Sequence, residues 1–240
     1  MIIYGKNPVK EALKSDKPID KLVLEKDSKD GSLKSFISLA KEKGIFYTFA
    51  PKESITRLAG TDKHQGVALS LTEFDYSSLD DIINFAKEKN QSLIVVILDE
   101  ITDPHNMGAI IRSAECFGAH GVIIQKHRSA QVNGTVIKAS AGACAHIPIC
   151  RMTNINDAIR ELKERGVFVF ATDFDGEKID RANLKGDIAI VIGSEGNGIR
   201  RLTKELCDGV VTIPQSGKVS SLNASVAAGV ALYEIVRQRS

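Results

Sequence analysis

Five short runs constrain this chain more than anything else in it: LIVVILD (93–99), GVIIQ (121–125), VFVFAT (167–172), IAIVIG (188–193) and GVVTI (209–213). Each is apolar at nearly every position rather than at alternate ones, so the strand it forms must be covered on both faces. Amphipathic stretches near 79–89, 104–117, 131–144, 155–165, 198–206 and 221–238 fall between them and supply the cover. Strand–helix alternation of this kind predicts an α/β domain built on a parallel sheet.

Residues 1–72 predict a smaller α/β unit. NPVKEALK is expected to be a helix with Asn7 as N-cap and Pro8 at its first position. KLVLE is a strand, SLKSFISLAKEKG a helix closed by Gly44, IFYTFA a strand, PKESITRLA a helix opened by Pro51, and GVALSLT a strand. The polar stretch at about 73–79 reads as a linker, which divides the chain into domains 1–75 and 76–240.

Charge excludes little. The net charge is +2, carried by residues 1–75; residues 76–240 hold 19 basic and 19 acidic residues. That balance is no strong nucleic-acid footprint. No apolar run reaches the ~18 residues of a membrane span, and the first residues lack a signal-peptide layout. A soluble, cytoplasmic protein without membrane contact is expected. Cys116, Cys144, Cys150 and Cys207 form no CxxC and fit no zinc spacing. They are expected to be buried, reduced thiols, and no metal is expected.

In open parallel sheets ligands gather at the carboxyl ends of the strands. The loops that follow the runs, DEITDPHNMG, DFDGE, SEGNG and PQSGKVSSLN, hold most of the glycine, asparagine and acidic residues of the second domain. In DPHNMGAIIRSAE, Asp103 can cap a helix with Pro104 at its first position. On a helical wheel Met107, Ile110, Ile111, Ala114 and Phe117 share a core face, while Gly108, Arg112, Glu115 and Cys116 lie opposite. Arg112 therefore points away from its own core, either to solvent or to a ligand, and Asn106 is either a cap or a ligand group. VIGSEGNGI (191–199) leads a strand through a glycine-rich turn with Glu195 at its centre. It has neither the GK[ST] of a phosphate-binding loop nor the order GxGxxG. In IPQSGKVSSLNASVAAGVALYEIV (213–236) a long helix is expected to begin near Ser220 or Ser221, with Ser221 and Asn223 in its first turn.

Taken together, the three segments resemble the SpoU/TrmH family of S-adenosylmethionine-dependent RNA ribose methyltransferases. The family pattern N-x-G-x-x-x-R-x-A followed by FG matches at Asn106, Gly108, Arg112, Ala114, Phe117 and Gly118. G-x-E-x-x-G after an apolar strand matches at Gly193, Glu195 and Gly198. The third pattern matches at Ile213, Pro214, Gly217, Ser221, Leu222, Asn223, Ser225, Val226 and Ala227, with Gln215 where methionine is common. IYGKNPVKEAL and HQGVAL resemble the family's amino-terminal substrate-binding module, which is similar to a small ribosomal-protein fold. HRSAQVN (127–133) resembles the branch that modifies a guanosine of bacterial 23S rRNA.

The resemblance implies more than periodicity can. It implies a C-terminal trefoil knot, which base rates disfavour, and a homodimer whose interface forms the active site. It implies S-adenosylmethionine held near Thr172, Gly193, Ile213 and Leu222, and catalysis by Asn106, Arg112, Glu195, Ser221 and Asn223. The family assigns proton removal to the arginine. A guanidinium is a poor base, so Arg112 is expected to hold a phosphate and steady the developing alkoxide, with Glu195 as the second candidate base. QKHRS (125–129) and RRLTK (200–204) are candidate phosphate contacts.

Overall fold

The computed structural model describes residues 2–15, 19–26, 28, 30–71, 74–217 and 221–240. They fall into two compact units, one of residues up to Asp75 with the segment 130–134, the other of Tyr76–Ser129 and Thr135–Ser240.

The first unit runs β1 (Ile2–Tyr4), α1 (Lys6–Lys14), β2 (Ile19–Glu25), α2 (Leu33–Glu42), β3 (Tyr47–Ala50), α3 (Lys52–Ala59) and β4 (Val67–Leu71). Its sheet has the order β1-β4-β2-β3 and is mixed, with β2 parallel to β3 and antiparallel to β4. Period-two alternation divides the strands between two cores. Leu22, Leu24, Val67 and Leu69 pack with Val9, Leu13 and Phe36, while Val23 and Ala68 pack with Ile55 on the other face. Strand β1 was not foreseen. Helix α1 starts earlier than expected, at Lys6 with Gly5 as N-cap, so Asn7 is not the cap and Pro8 is third in the helix. Proline is tolerated there because the first-turn N–H groups have no intrahelical acceptor in any case. Thr72 and Glu73, at the end of the expected strand and the start of the expected linker, lie outside the described residues.

The second unit runs α4 (Leu79–Glu88), β5 (Ile94–Asp99), α5 (Pro104–Cys116), β6 (Gly121–Gln125), α6 (Gly134–Ala139), β7 (Ile149–Met152), α7 (Ile155–Glu164), β8 (Phe168–Lys178), β9 (Ile188–Gly193), α8 (Arg201–Leu206), β10 (Gly209–Thr212) and α9 (Ala224–Arg239). Its six strands are all parallel in the order β10-β8-β9-β5-β6-β7. Every residue of β5 and β6 is buried, as doubly covered strands require. Val95, Ile97, Ala189 and Val191 pack with Ile82, Ile159 and Leu162 of the helices on one face. Full burial of each such aliphatic side chain stabilises the fold by ~1.5–3 kcal/mol. No helix among the described residues is long and apolar enough to cross a membrane.

Several local expectations are corrected. The helix expected at 131–144 is only α6 plus a 3-10 turn at Ala143–Ala145, because Ala141 and Gly142 both take positive φ and break it. Strand β7 was not foreseen at all. Gly108 does not face solvent: helix α6 covers it, and a Cβ there would lie 2.5 Å from Ala139 Cβ and 2.9 Å from the Val136 carbonyl oxygen. Phe117 is only half-buried, edge-on to Tyr233 at 6.4 Å. Of the thiols, Cys144 and Cys150 are buried, but Cys207 is half-buried and Cys116 is exposed at the end of α5.

Candidate active site

Strands β5, β8, β9 and β10 deliver their carboxyl ends to one edge of the sheet, and the loops leaving them build the site. Strand β8 contributes through an irregularity. Val210 pairs with Ala171 but the next residue, Val211, pairs with Glu177, so residues 172–176 bulge out of the ladder. The expected strand at 167–172 thus continues to Lys178, and its interruption carries Thr172, Asp173 and Phe174 to the rim of a cavity of about 280 Å³.

Strand β9 ends at Gly193 in a turn that Ser194 and Gly198 close with mutual backbone bonds of 3.1 and 2.8 Å. The turn folds so tightly onto the strand that a Cβ on Gly193 would sit 2.3 Å from the carbonyl carbon of Gly198. Glycine is therefore obligatory there for this geometry. Helix α8, expected from 198, begins only at Arg201, after the turn.

Helix α9 begins at Ala224. Asn223 is its N-cap, accepting from the N–H groups of Ser225 at 3.0 Å and Val226 at 3.4 Å. Ser221 lies before the helix rather than in its first turn, and Ser220 lies outside the described residues. On α5, Asp103 caps as expected, accepting from His105 at 3.0 Å and Asn106 at 3.4 Å.

These three ends meet. Glu195 Oε1 accepts from Asn106 Nδ2 at 3.1 Å, from Asn223 Nδ2, and from the Ala224 N–H at 3.3 Å. Asn223 Nδ2 also donates to Asn106 Oδ1 at 2.9 Å. A carboxylate at the open N-terminus of α9 is where helix electrostatics favour it. The cavity beside the cluster is lined by Thr172, Gly193, Ile213, Ser221, Leu222 and Glu195, among others. Thr172 is fixed by donation of its hydroxyl to the Val191 carbonyl at 2.8 Å.

Arg112 is not brought into this group. It is exposed on α5 and has no hydrogen-bond or ion-pair partner among the described residues. It sits six residues beyond Asn106, ~9 Å along the helix axis.

The structure also reveals residues that the motifs missed. Asp99, the last residue of β5, is fully buried and accepts from Arg200 Nε at 2.8 Å and from the Arg200 N–H at 3.0 Å. Asp173 is paired with Lys204 at 2.6 Å. Burial works to raise the Asp173 carboxyl, but the Lys204 ammonium and the Phe174 N–H outweigh it and hold the group below its usual range. The only signal was position: both acids stand where a strand gives way to a loop. All three basic members of RRLTK are thus in ion pairs, Arg201 with Glu205 at 3.6 Å on the surface, and in QKHRS the Ser129 hydroxyl is buried against the Ile101 carbonyl at 3.1 Å.

Residues 93–233 match the SpoU rRNA methylase family, and residues 2–77 match the RNA 2′-O ribose methyltransferase substrate-binding family. The chain belongs to the SpoU/TrmH family of RNA methyltransferases. It is 44% identical, over 99% of its own length and 96% of the other protein, to a TrmH-family tRNA/rRNA methyltransferase of Bacillus subtilis. A Staphylococcus aureus protein of the same description is 41% identical over 99% and 96% of the two chains. Among solved structures, the SpoU methyltransferase AviRb of Streptomyces viridochromogenes, in complex with AdoMet, aligns with a TM-score of 0.63 at 25% identity, covering 100% of this chain and 90% of that one. An AdoMet-bound rRNA methyltransferase of Sinorhizobium meliloti aligns with a TM-score of 0.60 at 26% identity, over 98% and 86%.

Proposed function

We propose that this RNA methyltransferase uses S-adenosylmethionine to methylate the 2′-hydroxyl of a guanosine ribose in 23S rRNA. The observation that carries this reading is the meeting of Asn106, Glu195 and Asn223, from three separate segments, beside the cavity lined by Thr172, Gly193, Ile213 and Leu222. The AdoMet complexes of AviRb and of the S. meliloti enzyme support the choice of cofactor.

The cavity fits such a cofactor. Its volume lies near the lower end of the ~300–1,000 Å³ usual for small-molecule sites. Ile213 and Leu222 offer apolar surface, and the bare backbone at Gly193 leaves room for close approach. When bound, S-adenosylmethionine supplies a methyl group already activated by a sulfonium centre. The chain's own residues then have two tasks, alignment and proton removal. Alignment of a hydroxyl with its target is worth ~7–11 kcal/mol in favourable cases. Asn106 and Asn223 fix the Glu195 carboxylate through Oε1, while Oε2 has no hydrogen-bond partner among the described residues. In this reading Oε2 takes the 2′-hydroxyl proton, Ser221 hydrogen-bonds the nucleotide, and Arg112 grips a phosphate and steadies the alkoxide.

Arg112 reaches that ribose if a second copy completes the site. Val226, Val230 and Tyr233 of α9 are 49%, 37% and 56% exposed on one helical face, and Tyr233 meets Phe117 of α5 edge-on. We assign this face to a homodimer. The trefoil knot is likewise proposed. After β10 at the sheet edge, the chain returns to pack α9 on α5 and β9, which supports a threaded C-terminal segment. The first unit would hold the structured RNA by backbone and shape, and a cytoplasmic location is proposed to go with action on rRNA.

The test is incubation with labelled S-adenosylmethionine and unmodified 23S rRNA or tRNA, followed by alkaline hydrolysis. Label in an alkali-resistant dinucleotide from 23S rRNA is expected. Label in a mononucleotide means base methylation, and label in tRNA alone moves the substrate to the other RNA class named for the relatives.

A further inference from the structure

The turn that carries Glu195 is anchored at both ends on one residue, Asp99, by its backbone at one end and its buried carboxylate at the other. Gly193, where the turn leaves β9, is in register with Asp99 of β5, and Arg200, where the turn rejoins regular structure, places its N–H and Nε on the Asp99 carboxylate. Between these anchors only the Ser194–Gly198 pair closes the turn on itself. Asp99 has no exposure to solvent, so its carboxylate depends on Arg200 for compensation. Four residues on, Lys204 ties Asp173, and with it the 172–176 bulge, to the same helix. The bulge is also held at its start by the Thr172 hydroxyl on the Val191 carbonyl at 2.8 Å and shaped locally by the Phe174 N–H donating to Asp173 Oδ1 at 2.7 Å.

We propose that Arg200 and Lys204 are positioning residues that hold two walls of the site independently. Arg200, through Asp99, sets the Glu195 turn for methyl transfer. Lys204, through Asp173, sets the 172–176 bulge for cofactor binding. This assignment rests on the function proposed above. It also removes both side chains from the set of free phosphate contacts: each already faces a carboxylate within 3 Å, at 2.8 Å for Arg200 and 2.6 Å for Lys204.

The arrangement predicts a split that mere destabilisation does not produce. In Arg200→Lys the charge stays near Asp99 but the guanidinium geometry is lost. A displacement of ~1 Å at Glu195 is enough to lower kcat ~10–100-fold. The same turn lines the cofactor cavity, so affinity for S-adenosylmethionine alone, measured by calorimetry without RNA, should also fall, but by less than kcat, ~2–5-fold, and amide exchange across 194–200 should quicken. Lys204→Gln should do the reverse, weakening cofactor affinity ~3–5-fold through loss of a half-exposed ion pair while kcat at saturating cofactor holds. Parallel losses of affinity and kcat in both variants, tracking a lower melting temperature, would overturn the proposal, as would wild-type kcat in Arg200→Lys. A wild-type chain that neither binds S-adenosylmethionine nor labels RNA overturns the parent reading, and this one with it.

Discussion

At the carboxyl ends of the parallel strands, side chains from three segments bond to one another in an exposed cluster; at the amino ends side chains chiefly satisfy backbone groups. Glu195 Oε1 serves three donors in the exposed cluster, and Arg112 stands alone. At the opposite edge His120 is 1% exposed, accepting from the Ile94 N–H at Nδ1 and bonded to Gln91 Oε1 at Nε2, both at 3.0 Å. Asp187 accepts from the Leu93 N–H at 2.7 Å. Arg239, at the end of α9, caps the carbonyls of Ser92 at 2.8 Å, Leu93 at 3.1 Å and Gly186. One sheet thus keeps its unspent hydrogen-bonding capacity at the end where a substrate can use it. At the other end the side chains are spent on backbone partners, where a buried group left unpaired costs ~1–3 kcal/mol; of the groups named there only Arg239 Nε is buried without a partner among the described residues.

Substitutions can break this contrast from either side. The largest effect is expected for Glu195→Gln, which keeps the size of the side chain but removes the proton acceptor. Methyl transfer should fall ~10²–10⁴-fold, with the urea midpoint barely moved. A stability loss equal to the activity loss would instead make the cluster a structural clasp. Arg239→Ala should show the opposite profile, with stability down by ~2–3 kcal/mol from lost charge-assisted bonds and turnover per folded molecule unchanged.

A smaller effect is expected from pH. Burial, with the Lys89 and Arg239 charges adding to it and Asp187 opposing, holds the His120 imidazole down to about 4. In the unfolded chain it titrates near ~6.5. Between those values the unfolded state binds more protons, so stability is full above ~7 and falls as pH drops. The contribution between pH 7 and 5 is about 2 kcal/mol. Denaturant melts of wild type and His120→Gln over that range should diverge by this amount in slope; parallel curves would remove His120 from the account.

What the sequence discloses follows the same division. The doubly covered strands were plain because burial on both faces leaves no polar position to confuse the period. Asp103, Gly44 and Pro51 marked helix ends through local chemistry. The motif residues stood out individually, but not as one network: nothing local links Asn106 to Glu195, 89 residues away. Asp99 was hidden at the end of an apolar run, where it reads as the first loop residue. The burial of Gly108 was hidden because a wheel knows only its own helix, and α6 packs over that glycine on the side away from the α5 core face. Strand β7 is four residues long and follows a proline, too short for its period to show.

The bulge in β8 has a consequence for how this scaffold can change. Its flanks are pinned by β10, Ala171 on one side and Glu177 on the other. Gly176 cannot be exchanged, since a Cβ there would lie 2.6 Å from the Val210 carbonyl oxygen, but the stretch between Asp173 and Gly176 can be lengthened with the flanks still paired, since extending a flexible loop costs only ~0.6 kcal/mol per doubling. The wall of the cavity is therefore a replaceable insert in a fixed frame. Related chains could acquire different pocket shapes here while keeping the same sheet.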